Sequence, residues 1–297
     1  MSKLFRYTMI IAVLVGVPVL LLDVVVNLLL APSATAASLA IAAVLTVVVL
    51  LVLRKTPIWP RWSSSSIGWI LCALLWGAGV SLLIVIASGL PAMDLALALR
   101  WEQSVASFGG AWPEEPAKAL GVLFILMSFP RFYRPWHGFM VGMVVGLGFD
   151  MMENMLYGTM GGMMHASSDM AGMLDTWGLR LVFGPLLHTG LTGLAGWGIG
   201  LALFVAGKPL SWRIRVVALY FGAAFLFHFA WNYSWEEEWM HYVQFAIVAI
   251  ALYGLWAYVW VWSVRAARAD DTYVHTPQAL TSVRQLEPQP ADTPISD

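Results

Sequence analysis

The chain is a succession of long apolar runs separated by short polar loops, and runs of this length fold as helices in lipid. A helix needs roughly 20 apolar residues to cross the hydrocarbon core. With no water there, its backbone must hydrogen-bond within itself. Eight segments approach or exceed that length: 7–31, 37–53, 67–90, 114–129, 138–158, 177–206, 216–233 and 241–263. The fourth and seventh are short for full spans, and the sixth is long enough to tilt or to run into a loop. The expectation is an all-α membrane protein, a polytopic bundle of about eight transmembrane helices. Composition agrees, with 60% of the 297 residues hydrophobic and 11% charged, whereas a soluble domain is nearer half apolar and a quarter charged. Most of the sixteen tryptophans fall near the ends of apolar runs, where indole rings settle at a membrane interface. A net charge of −1 gives no reason to propose a nucleic-acid partner. The single cysteine, Cys72, rules out a disulfide within this sequence and a thiolate-built metal site.

Basic residues test the span count independently. With Lys3 and Arg6 in the cytoplasm, so are Arg54, Lys55 and Arg61, Arg131 and Arg134, Lys208, Arg213 and Arg215, and Arg265 and Arg268. The opposite side receives Arg100 and Arg180 together with Asp169, Asp175 and the acidic run Glu236 to Glu238. Alternate loops are basic, as the positive-inside rule requires, so a multi-pass cell-membrane protein with both termini cytoplasmic is expected. The first apolar run exceeds an ordinary signal core and carries Asp23, which argues for a retained helix. The expected organisation is helices 1–3 with an outer loop over 1–110, a catalytic core over 111–240, a last helix over 241–268, and a disordered tail over 269–297. The Gly- and Met-rich stretch 158–175 reads as a mobile outer connector. Glycines at four-residue spacing (Gly138, Gly142 and Gly146; Gly196 and Gly200) read as faces for close helix packing within the bundle.

Titratable side chains in hydrocarbon are expensive unless paired, so each one asks for a reason. The candidates are Asp23, Glu114, Glu115, Lys118, Asp150, Glu153, His188 and His228. Under the orientation above, Glu114 and Glu115 open span four from the outer side, after Pro113, in a first turn that favours carboxylates. Glu153 falls one to one and a half turns below the outer end of span five, and His228 at a similar depth in span seven. His188 lies about three turns into span six, or shallower if the first turns are interfacial. Lys118 follows Glu114 by four residues on the same face, so an internal ion pair is possible. Asp23 has no evident partner, and His137, His165, His241 and His275 read as solvated. Three i, i+4 pairs sharpen the set: His228 with Asn232, His188 with Thr192, and Phe149 with Glu153.

Two imidazoles and one or two carboxylates suit zinc with an open position for water. A metal-bound or directly activated water with a carboxylate base is peptide-hydrolysis chemistry. Asn232 could orient the His228 imidazole or donate to a developing oxyanion. HExxH and GxSxG are absent. A proton- or ion-coupled transporter, a non-catalytic scaffold and a haem protein with two axial histidines are the alternatives.

EEPAK (Glu114 to Lys118), FDMME (Phe149 to Glu153), HTGLT (His188 to Thr192) and HFAWN (His228 to Asn232) together resemble the ordered signature of PrsW-type intramembrane proteases. That family belongs to a superfamily with the CAAX prenyl endopeptidases and bacteriocin-processing enzymes. The motifs cover roughly 112–235, leaving spans one to three and eight outside. The resemblance implies cleavage of membrane-associated proteins or peptides, typically anti-sigma factors. It implies catalytic roles for Glu114 and Glu115, with Asn232 at the last motif's polar position, and essential histidines at His188 and His228. Glu153 stands where the prenyl endopeptidases carry a histidine, which favours the PrsW branch. The expected zinc ligands are His188, His228 and Glu153, supported by Lys118, Thr192 and Phe149.

Overall fold

The computed structural model describes residues 3–60, 67–271, 274–276, 279–280 and 286. These residues form an all-helical bundle. Helices α1 (Lys3–Leu30) and α2 (Pro32–Arg54) come first. Next is α3 (Ile67–Leu75), which continues through a π-helical turn at Trp76–Val80 into α4 (Ser81–Ala98). Then follow α5 (Val105–Gly109), α6 (Ala111–Ser128), α7 (Pro135–Met164), α8 (Asp169–Phe183), α9 (Leu187–Phe204), α10 (Leu210–Asn232) and α11 (Glu238–Ala269). Among the described residues, seven helical segments are long and apolar enough to cross a membrane. They account for every predicted span except the fourth, which is α6. That helix has 18 residues, carries Glu114, Glu115 and Lys118, and is largely buried among the others.

α7 and α9 form the centre. Their glycines sit where the backbones touch: a Cβ on Gly142 would lie 2.3 Å from the Thr192 carbonyl oxygen, and one on Gly146 would lie 2.2 Å from that of His188. Gly196 and Gly200 face Gly138 and Pro135 in the same way. The four-residue spacing is therefore the seam between α7 and α9, as small residues allow in a membrane bundle.

Several expectations are corrected. The connector predicted over 158–175 is mostly helix, because α7 runs on to Met164 and α8 starts at Asp169. Gly158, Gly161 and Gly162 are tolerated there because each faces a close neighbour on α2 or α8. The sixth span is broken at 184–186 between α8 and α9, with Leu186 in the left-handed region at φ 54°. Asp23 does have a partner, since Asn27 Nδ2 donates to its Oδ1 at 3.3 Å. His137 is buried, with its Nδ1 accepting the Tyr133 N–H, instead of being solvated. Part of the tail expected to be disordered pairs with the end of α9: Ala206 N–H donates to the Val274 carbonyl, and Thr276 N–H to that of Phe204. Arg61, in a predicted basic loop, and most of the remaining tail lie outside the described residues.

Candidate active site

The predicted residues meet at one end of the bundle, where α6 and α9 begin and α10 ends. The Gly110–Ala111 junction opens α6, placing Glu114 and Glu115 in its first turns. Trp76, from the π-helical turn, donates its indole N–H to the Ala117 carbonyl at 2.9 Å and fixes α6 laterally. α9 starts at Leu187 without a capping side chain of its own. Asp150 of α7 supplies one instead, accepting the backbone N–H of His188 at 3.0 Å and of Thr189 at 2.7 Å, and the Thr189 hydroxyl at 2.6 Å. Gly146, Asp150 and Glu153 share one face of α7 at helical spacing. The glycine admits the first turn of α9, the aspartate caps it, and the glutamate meets its histidine.

The helix bounds also shift the positions of two site residues along their helices. His188 is the second residue of α9, not three turns into a continuous span. Glu153 lies 11 residues before the end of α7, about 16 Å, because α7 is longer than its apolar run suggests.

Each imidazole is held by a carboxylate on its outer nitrogen. Glu153 Oε2 lies 3.0 Å from His188 Nε2, and Glu115 Oε1 lies 2.8 Å from His228 Nδ1. Such contacts assign the proton to that nitrogen and leave the other nitrogen as an acceptor. The acceptor nitrogens converge on Glu114: His188 Nδ1 is 3.7 Å and His228 Nε2 3.9 Å from Glu114 Oε2. The two rings are in edge contact, with centroids 4.9 Å apart. Asn232 Nδ2 donates to His228 Nε2 at 3.1 Å. Lys118 Nζ reaches Glu115 Oε1 at 2.7 Å, Glu114 Oε2 at 3.2 Å and His188 Nδ1 at 2.8 Å. The Phe149 ring lies 4.4 Å from that ammonium and packs edge-on to His188.

The donor set fits a metal ion. One atom each from Glu114, Glu115, His188 and His228 lies within 4.8 Å of the others, and all four residues are buried. Ligands 2.0–2.1 Å from a tetrahedral zinc sit roughly 3.4 Å apart, so a small contraction would suffice. Glu115 Oε2 is buried with no hydrogen-bond partner among the described residues, as a carboxylate oxygen reserved for a ligand would be. Glu153 is outside this group of four. It takes the far nitrogen of His188 and pairs with Arg180 Nη2, while Arg180 Nε donates to Asn154 and its guanidinium lies over the Tyr157 ring. Thr192, expected to support His188, has a buried hydroxyl without a partner, and its carbonyl packs on Gly142. Asp150 stood among the candidates but was given no role at the site, and Arg180 was counted only among the loop charges. The i, i+3 spacing of Asp150 with Glu153 was the available signal for the first, and a lone basic residue in an apolar stretch for the second.

A cavity of about 660 Å3 opens beside the cluster, with Glu114, Glu153, His188, His228 and Asn232 on its wall. The rest of the lining is mainly apolar and includes Leu82, Val85, Met152, Leu156 and Met160. Glu115 and Lys118 lie behind this wall.

An all-helical, membrane-spanning bundle with a buried Glu/His cluster at a cavity defines a polytopic membrane protein with the parts of a hydrolase. More specifically, the chain belongs to the PrsW family of intramembrane metalloproteases, whose family model matches residues 65–266, more than half of the sequence. The match extends the 112–235 core expected from the motifs to α3, α4 and most of α11, leaving α1 and α2 outside. No curated protein and no solved structure matches the chain.

Proposed function

We propose that the chain is an intramembrane endopeptidase that cleaves membrane-associated proteins or peptides with water activated at the Glu114–His188–His228 cluster. The observation that carries this reading is the cavity, which brings an acid–base wall and an apolar lining together in one space. A membrane-derived segment needs both, apolar surface for its side chains and polar groups for its backbone. Membrane segments of anti-sigma factors are the substrate class that the family resemblance implies.

Glu114 is the general base, because it is the first-motif carboxylate on the cavity wall. Glu115 is a positioning residue that holds the His228 ring from Nδ1. Glu153 does the same for His188 from Nε2, and Arg180 holds Glu153 in turn. Asn232, also on the wall, donates to the oxyanion that develops on the scissile carbonyl. His188, His228 and Glu115 would hold a metal ion, leaving Glu114 as base and one position for water, and zinc suits two imidazoles with a carboxylate. When bound, zinc would polarise the scissile carbonyl and make its water acidic.

The basic residues of alternate loops support an orientation with both termini cytoplasmic and the cluster towards the outer face. A haem between His188 and His228 is disfavoured, because rings in edge contact leave no room for a macrocycle plane.

The test is cleavage of a membrane-spanning peptide by purified protein in liposomes. Glu114→Gln and His228→Ala are expected to lower cleavage severely while keeping the thermal unfolding profile of the parent. Full activity in either folded variant would overturn the reading.

A further inference from the structure

We infer that Lys118 is the resident cation of the cluster and competes with a divalent metal ion for Glu115 and His188, with Glu114 as its third partner. The inference rests on the metal-dependent form of the function proposed above. Lys118 is fully buried, with 0% of its surface exposed. Its Nζ is within 3.2 Å of Glu114 Oε2, and closer still to Glu115 Oε1 and His188 Nδ1. Those atoms belong to three of the four residues that could hold a metal.

An ion bonded to His188 Nδ1, which Nζ contacts at 2.8 Å, would encroach on the volume of the ammonium, and two cations in contact repel strongly in a dry interior. The arrangement follows from local sequence. In EEPAK the lysine stands three and four residues after the glutamates, on the same helical face. A flexible four-carbon stem lets the ammonium leave without moving α6. The Phe149 ring, already 4.4 Å from Nζ and on the cavity wall, is a cation-binding surface that the ammonium can keep as it swings towards the cavity. Lys118 thus keeps the buried carboxylates neutralised when no metal is bound, and its presence lowers metal affinity below that of the bare donor set.

The experiment uses the full chain in detergent, stripped with EDTA and titrated with zinc against a chromophoric chelator. Cobalt(II) absorption reports the ligand field. Lys118→Met should bind one zinc about tenfold or more tighter than the parent, and zinc should raise its Tm further. Lys118→Arg keeps the charge with a bulkier head and should bind zinc more weakly than the parent. Should Lys118→Met not fold without metal, the Lys118→Arg comparison decides. Parent-like zinc affinity in Lys118→Arg, or no gain in folded Lys118→Met, overturns the competition and leaves the metal reading standing if the parent binds zinc. No zinc or cobalt binding by any version overturns both.

Discussion

Asp150 accepts the backbone N–H of His188 at 3.0 Å, so a side chain of α7 caps the helix that carries a site histidine. Leu186, at the cap position of α9, has no side chain able to do so. Asp150→Ala would leave buried N–H groups of His188 and Thr189 unsatisfied, at a cost of about 1–3 kcal/mol each. A fall of several degrees in Tm, with weaker cleavage, is the expected outcome of a thermal unfolding series in detergent. An unchanged Tm would show that the cap contributes nothing.

The α7–α9 seam predicts a second effect. A Cβ on Gly142 would meet the Thr192 carbonyl oxygen at 2.3 Å, a backbone atom that cannot swing aside as a side chain would. Gly142→Leu should force the helices apart and separate Glu153 from His188, lowering both Tm and activity. Gly222→Leu is the control, because nothing lies within 4 Å of its built Cβ. Equal behaviour of the two variants would remove the seam from the account.

Glu153 and Arg180 act through His188. Glu153→Gln should lower activity by about 10–100-fold, the usual effect of losing a carboxylate behind a ligand histidine. Arg180→Ala should be milder, since its side chain is 28% exposed, and Arg180→Lys should restore part of the loss. The measurement is kcat separated from KM on a membrane peptide, with the change expected in kcat.

Orientation has its own test. With Cys72 replaced by serine, a cysteine in the α7–α8 turn (Ser167→Cys) should react with an impermeant maleimide from outside intact cells. One in the α9–α10 turn (Lys208→Cys) should react only after permeabilisation. The reverse pattern would put the cluster towards the cytoplasm.

Much of this site could be read in the sequence because lipid penalises polar groups. Glu114, Glu115, Glu153, His188 and His228 stood out as expensive residues, and the structure brings them together. The glycine spacing likewise announced the α7–α9 seam. What stayed hidden depends on tertiary contact. The break before His188 is stabilised by Asp150 from another helix, and no local pattern encodes that. Glycines 158, 161 and 162 read as a loop because propensity ignores the neighbours that make room for them in α7. His137 looked like an end-of-span residue, yet the turn before α7 folds back and its Tyr133 N–H meets the ring. The inward position of Lys118 follows from its spacing, but its third partner, His188, could be known only once α9 was in place.

The central claim is that Glu115 and His228 serve one chemical site, and a double-mutant cycle on cleavage rate tests it most directly. Glu115 Oε1 and His228 Nδ1 are 2.8 Å apart and act as a unit in this account. Glu115→Gln and His228→Ala should each lower kcat severely, and the double variant should be no slower than the worse single one. Independent effects that multiply in the double variant would contradict it.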